Sequence, residues 1–202
     1  MKLYYKSGAC PLAPHIVLEE LGLPYEAEAV DLKTKVTASG QNFLSLNAKG
    51  YVPALELDDG TVLTEGPAIM QYLADLKPEK KLAPANGSIE RYKLQGWLTF
   101  VGTELHKQFS PLFNPAAPDE WKEQCRANLV RRLTWLDGEF EGKEYLMGAQ
   151  FSVADAYLFT VLRWAAGVKV DISALAHIAA FRARVAARPA VQAAMKAEGI
   201  PL

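Results

Sequence analysis

Two side chains in this sequence stand out for chemistry: the cysteine of Ser7-Gly8-Ala9-Cys10-Pro11 and the histidine of Thr103-Glu104-Leu105-His106-Lys107. Cysteine is scarce, with only Cys10 and Cys125 in the chain. Cys125 falls in an apolar stripe at helical spacing, where a free thiol behaves as a small hydrophobe. Cys10 instead precedes a proline suited to the first position of a helix. Unpaired N–H groups and the positive end of the helix dipole are expected to face its sulfur. That environment favours thiolate and lowers the pKa from the usual ~8.5. The plainer alternative is a cysteine that merely occupies a cap, and position alone leaves both open. Residue 13 is alanine, so no local dithiol can form, and a redox role needs an external thiol.

Two further stretches carry weaker signals, as does the helix face around His106. In Gly50-Tyr51-Val52-Pro53 the proline cannot donate to a sheet ladder, which suggests an edge or a cis bend. Either leaves the Val52 backbone free to pair with an extended peptide. Thr64-Glu65-Gly66-Pro67 places an acid and a bare glycine at a helix start, where backbone N–H groups can receive a carboxylate. Glu65 can take an ammonium, so the pair suits the zwitterionic end of an amino acid; ordinary capping explains it equally well. His106 shares a helical face with Gly102, Phe109 and Phe113. Gly96 and Gly102 each cost a helix roughly 1 kcal/mol, which raises the expectation of close approach by another chain or a ligand. A lone histidine on a helix is also commonly structural, and His15 and His177 are read that way.

The elements that must position these residues fall into two halves. Leu3–Tyr5 reads as a strand, Pro11–Leu21 as a helix ended by Gly22, and Ala27–Asp31 as a second strand. Thr37–Leu46 is expected as a helix broken by Gly40. Strands over 54–57 and 61–63 flank Asp58-Asp59-Gly60, a hairpin signal, and Pro67 opens another helix. After the turn-rich 78–87 no strand pattern recurs. A helix is expected over Ser88–Phe113, and a second carries Trp121, Cys125, Leu129, Leu133, Leu136 and Phe140 on one face. Ser152 and Asp155 form a capping box for a third, followed by two shorter helices near 175–187 and 189–198. The fold class is therefore an α/β N-terminal domain over 1–77, a linker over 78–87 and an all-α domain over 88–202.

Composition sets the bounds. The chain has 202 residues, half of them apolar, and a net charge of −1, which does not suit a nucleic-acid surface. A strand from residue 2 leaves no room for a signal peptide, and no apolar run approaches the ~20 residues of a membrane span. Two distant cysteines argue for a reducing, cytoplasmic setting without structural zinc.

Over nearly its whole length the sequence resembles the bacterial, cysteine-containing (beta-class) glutathione transferases. The stretches that carry the likeness are MKLYYKSGACPLAPHIVLEE, NAKGYVPALELDDGTVLTEGPAIMQYLAD, TELHKQFSPLF and FSVADAYLFTVLRW. The resemblance implies a thioredoxin-like N-terminal domain, a helical C-terminal domain, a homodimer, glutathione as co-substrate and no metal. By the same resemblance Cys10 lies beside the glutathione sulfur, and Val52, before a cis Pro53, pairs with its cysteinyl unit. Glu65 and Gly66 hold the γ-glutamyl end, Lys35 lies near the glycyl carboxylate, and Tyr5 lines the site. His106 reaches the thiol, while Thr103 and Glu104 belong to a segment reaching a glutathione site at the dimer interface. An apolar wall of Phe109, Leu112, Phe113 and Trp164 is expected to receive a hydrophobic electrophile. There are departures: Pro11 and Gly66 replace serines frequent in the family, Ala48 replaces a proline, and Thr99 stands where a longer amide can reach the ligand.

The activity implied is attack by a glutathione thiolate, stabilised near Cys10 and His106, on aromatic or halogenated electrophiles. Two other functions fit the same residues. One is thiol–disulfide exchange or reductive dehalogenation with Cys10 as covalent carrier. The other is a non-enzymatic ligand-binding module.

Overall fold

In the computed structural model, which describes residues 1–201, the chain opens with strand β1 (Lys2–Tyr5), helix α1 (Leu12–Leu21) and strand β2 (Glu26–Asp31). β2 runs parallel to β1, with Leu3 opposite Ala27 and Tyr5 opposite Ala29. The hairpin at Asp58-Asp59-Gly60 joins β4 (Ala54–Glu56) to β5 (Val62–Thr64), and β4 pairs antiparallel with β1. Helix α2 (Gly66–Leu76) follows. With β3 (Val36–Thr37) the five strands take the order β3-β2-β1-β4-β5, a thioredoxin-like mixed sheet. Gly22 closes α1 at φ 59, donating to the carbonyls of Leu18 and Glu19, a left-handed cap that glycine makes without strain.

Residues 37–46 are not a helix. Val36 and Thr37 pair with Asp31 and Val30 at the end of β2, and only Phe43–Ser45 makes a single 3-10 turn, capped by Asn42. The pairing satisfies backbone groups that an isolated short helix would leave exposed, and Phe43 anchors the turn in a core cluster with Tyr4, Val30, Val52 and Ala54.

The second half is helical. α3 (Ile89–Phe100) begins at Ser88, whose hydroxyl accepts the Arg91 N–H at 3.2 Å. It runs on as a π-helical segment (Val101–His106), the short α4 (Lys107–Phe109) and a 3-10 turn (Ser110–Phe113). α5 (Asp119–Glu139) buries Cys125, Leu129, Leu133 and Leu136, but Trp121, expected in that stripe, is 52% exposed at the helix start. α6 (Val153–Leu162) is buried on all sides and starts at the Ser152–Asp155 capping box. Burial drives the Asp155 carboxyl up to about 6, opposed by donors at 2.7–2.8 Å: the Leu146 N–H, the Ser152 N–H and the Ser152 hydroxyl. α7 (Ala176–Ala186) and α8 (Pro189–Ala197) complete the chain, and no described helix is long and apolar enough to cross a membrane.

Contacts divide the chain into two units, Met1–Ala83 with the chain from Ala186 onward, and Pro84–Val185. The last helix thus belongs with the sheet, whereas its sequence position puts it with the helical half. α8 packs along α1, and this is why eight of the ten residues of α1 are buried rather than one face.

Candidate active site

The loop between β1 and α1 turns at Gly8 (φ 72) and brings Cys10 to the step before Pro11, which occupies the N-cap. The amides of Leu12 and Ala13 are already bonded to the carbonyls of Ala9 and Cys10 at 3.1 Å. They are therefore not free donors to the sulfur. Instead the Cys10 thiol donates to the Val52 carbonyl at 3.4 Å. Burial, with the Glu65 and Glu198 carboxylates adding to it, pushes its pKa up to about 12, against a lowering by its own backbone N–H. Cys10 is a neutral hydrogen-bond donor at neutral pH, which corrects the thiolate expected from its place in the sequence.

The Val52–Pro53 peptide is cis, directly before β4. The Val52 N–H makes no hydrogen bond among the described residues. Two side chains hold the loop behind it: Lys35 donates to the Gly50 carbonyl at 2.9 Å, and buried Asn47 donates to that of Tyr51 at 2.8 Å. Glu65 follows β5 at φ 70, a left-handed conformation unusual for a residue with a Cβ, and its carbonyl accepts from Ala68 and Ile69 in α2. The Gly66 N–H has no partner among the described residues. A Cβ on Gly66 would lie 3.7 Å from Pro53, an ordinary contact, so glycine here is not enforced by space. Lys49, absent from the sequence reading, bridges Glu65 Oε1 at 2.7 Å and Thr64 Oγ1 at 2.9 Å. Tyr5 leans on the ring of His15 and lines a cavity of about 530 Å³ whose walls include neither Cys10, Val52 nor Glu65.

In the helical unit the π segment sets the geometry. The Lys107 N–H reaches back five residues to the Gly102 carbonyl, shifting the phase of the face that carries His106. Tyr157 of α6 meets His106 Nδ1 with its hydroxyl at 2.6 Å, and Trp164, just past α6, packs edge-on against the imidazole with centroids 4.9 Å apart. Burial, with a smaller contribution from Lys107, lowers the His106 pKa to about 4, so the ring is neutral. Trp164 also meets Phe109 and Phe113 at 5.7 and 5.8 Å. Phe109 has no exposed surface, so it backs the wall; Leu112, Phe113 and Trp164 retain exposure. Neither glycine is required by close approach: Gly96 faces open space, and a Cβ on Gly102 would stand 3.7 Å from the Tyr157 hydroxyl. Thr103 donates to the Thr99 carbonyl at 3.0 Å, and Glu104 pairs with Arg132 at 2.6 Å.

Two family models match the chain: a glutathione S-transferase N-terminal domain over residues 9–76 and a C-terminal domain over 100–189. Glutathione S-transferase GstA of Escherichia coli O157:H7 is 51% identical over 200 residues, covering 99% of this chain and 100% of that protein. The chain belongs to the glutathione S-transferase family. Among solved structures, this transferase is similar to a ternary complex of BphK, a bacterial enzyme of the family, at 58% identity and TM-score 0.98, covering 99% and 100% of the two chains. It is also similar to a bacterial beta-class transferase of Sphingomonas chungbukensis, at 49% identity and TM-score 0.97 over the whole of both chains.

The transferase carries one more feature tied to the cysteine loop. Glu198, just after α8, accepts the Gly8 N–H at 2.9 Å and meets His15 Nδ1 at 2.9 Å, while its carbonyl accepts from Ser7 Oγ at 2.7 Å. His15 continues to the Tyr25 hydroxyl at 2.8 Å, which donates to Glu19. The structural reading of His15 holds, with the addition that it braces the Cys10 loop. Among the described residues no group of His, Cys, Asp and Glu side chains is arranged to hold a metal ion.

Proposed function

We propose that this glutathione transferase binds glutathione along the Val52 edge and transfers its sulfur to hydrophobic aromatic or halogenated carbon. The observation that supports this most directly is the free Val52 N–H beside cis Pro53, with the free Gly66 N–H and the Glu65 carboxylate at the start of α2. In this reading Val52 pairs with the cysteinyl backbone. Gly66 receives the γ-glutamyl carboxylate and Glu65 its ammonium. Lys49 shares Glu65, and Lys35 works at the glycyl end through the loop it holds. The glutathione thiolate forms a bond to the electrophilic carbon while the halide leaves with its electron pair, giving a thioether. Phe113, Leu112 and Trp164 supply the apolar face for that electrophile, with Phe109 behind them.

Magnitudes decide the role of His106. Full proton transfer from a thiol of pKa ~8.5 to an imidazole near 4 is uphill by roughly 6 kcal/mol. His106 is therefore assigned as a neutral donor. We assign the Tyr157 hydroxyl as donor to Nδ1, which puts the proton on Nε2, where it stabilises the thiolate by hydrogen bonding. Cys10, whose single S–H proton is given to the Val52 carbonyl, is assigned to the wall beside that sulfur. Its protonation weighs against the covalent redox reading, because the attacking species in exchange is a thiolate. Thr99, Thr103 and Glu104 we assign to a homodimer, for which the exposed Ile89 and Tyr92 of α3 and Val130 and Trp135 of α5 supply apolar surface. Both cysteines are free, which suits the cytoplasm.

The test is calorimetric titration with glutathione, paired with turnover of a chloronitrobenzene by wild type and Cys10→Ala. Binding at one site per chain, with conjugation retained by the alanine variant, is expected. A wild-type chain that binds no glutathione overturns the reading, and loss of conjugation in Cys10→Ala moves the cysteine to a covalent role. Sedimentation equilibrium at twice the chain mass is the expected result for the dimer.

A further inference from the structure

The loop that leads into the Val52 edge is held through its own backbone. Gly50 turns it at φ 66, its N–H donates to the Asn47 carbonyl at 2.8 Å, and its carbonyl takes the Lys35 ammonium at 2.9 Å. A Cβ on Gly50 would stand 3.2 Å from the Leu44 side chain, so the turn has little room to shift. The Asn47 amide holds the Tyr51 carbonyl at 2.8 Å. Tyr51, carried on this fixed backbone, is nevertheless 70% exposed, more than any other large hydrophobic residue among those described. One exposed ring needs no explanation by itself. This one stands directly beside the Val52 N–H, which has no partner among the described residues.

The proposed binding of glutathione fixes the direction of the peptide along this edge. Its γ-glutamyl end goes to Glu65 and Gly66, and Gly66 adjoins Pro53, since a Cβ on it would lie 3.7 Å from the proline ring. With the cysteinyl unit at Val52, the glycyl residue falls on the other side, at Tyr51. Peptide and edge are thus antiparallel. In such a pair, directly opposite residues send their side chains to the same face, with Cβ atoms about 5 Å apart. Glycine opposite an aromatic residue leaves bare backbone for the ring to lie over, an arrangement that β-sheets use to cover glycines. A residue with a side chain at that position would drive it into the space of the ring.

We propose, resting on that mode of binding, that Tyr51 determines specificity at the C-terminal residue of the thiol peptide: its ring lies over the glycyl unit and selects a residue without a side chain. Lys35 cannot make this choice, because its ammonium is engaged by the Gly50 carbonyl and a terminal carboxylate is common to every tripeptide. Glu65 and Gly66 cannot make it either, since they serve the opposite end. Selection is by shape, so the phenolic hydroxyl is not required.

The test is calorimetric titration of the full chain, under reducing conditions, with glutathione and with γ-glutamylcysteinyl-L-serine, which adds one hydroxymethyl group to the glycyl carbon. Wild type should bind the serine peptide about tenfold more weakly, the scale of a side chain forced into occupied space. Tyr51→Ala should bind glutathione about threefold more weakly, the scale of one cross-strand aromatic contact, and should hold the two peptides within about twofold of each other. Tyr51→Phe should keep the wild-type ratio. Equal affinity of wild type for both peptides, or the same ratio in wild type and Tyr51→Ala, overturns the proposal while glutathione binding stands. Loss of the ratio in Tyr51→Phe overturns it as well. Dissociation of a dimer by Tyr51→Ala with the ratio intact, seen by sedimentation, gives the ring to a subunit interface instead. A wild-type chain that binds neither peptide overturns the Val52 reading itself, and the role of Tyr51 with it. The side chain is exposed, so both variants are expected to fold.

Discussion

The Val52–Gly66 region and the His106 region use different materials. The first works with backbone: a cis peptide, a left-handed Glu65, and two amides without partners among the described residues. The second works with side chains: an imidazole oriented by a tyrosine hydroxyl and walled by Trp164 and Phe113. Backbone donors are placed by turns and helix starts, which few substitutions disturb. An oriented ring depends on the partner that holds it and on the helix beneath that partner. The two regions should therefore fail differently when altered.

The largest effect is expected at the foundation of the side-chain region. Asp155 caps α6, which carries Tyr157, and Asp155→Ala strands buried donors at Leu146 and Ser152. A loss of about 3 kcal/mol in urea unfolding is expected, with conjugation falling as the Tyr157–His106 pair loosens. A loss below about 1 kcal/mol, the scale of a single exposed cap, would show that α6 is held by packing alone.

Acid should act on the same region. The folded His106 pKa, about 4, lies below its unfolded value, so its neutral form contributes stability that is complete above pH 6.5. As pH falls from 6.5 toward 4 the unfolded state takes up a proton that the folded state refuses, and up to about 3 kcal/mol is lost. His106→Gln should flatten the unfolding profile across that window. An unchanged slope would mean that the ring is not held neutral.

In the backbone region the effects should appear in binding rather than stability. Glu65→Gln should weaken glutathione about tenfold by calorimetry, with little change in unfolding, because the Lys49 pair is exposed. In the side-chain region, Tyr157→Phe should lower kcat about fivefold and leave the glutathione KM unchanged, the mark of a positioning residue. The smallest change is a gain: Gly66→Ser has room beside Pro53 and adds a hydroxyl, so glutathione should bind about threefold tighter.

The same contrast governs what could be read from sequence. Gly22, Asp58-Asp59-Gly60, Val52-Pro53 and Glu65-Gly66 are local signals, and each marks the feature the structure contains. Thr37 reads in the sequence as the start of a helix because its strand exists only through pairing with Val30. The place of Cys10 was legible but its protonation was not. That is set by burial and by carboxylates at Glu65 and Glu198, which no local pattern announces. Tyr157 and Lys49 were missed for the same reason, since each acquires its role from a partner distant in sequence.

Glu198 and α8 have a consequence for synthesis. The loop bearing Cys10 leaves the ribosome about 190 residues ahead of the Glu198 carboxylate that fixes it at Gly8 and His15. The sheet unit must remain unfinished, with one side of α1 uncovered, while the whole helical unit is translated. Order of emergence and order of completion thus differ for this unit, and the docking of α8 is the event that covers α1.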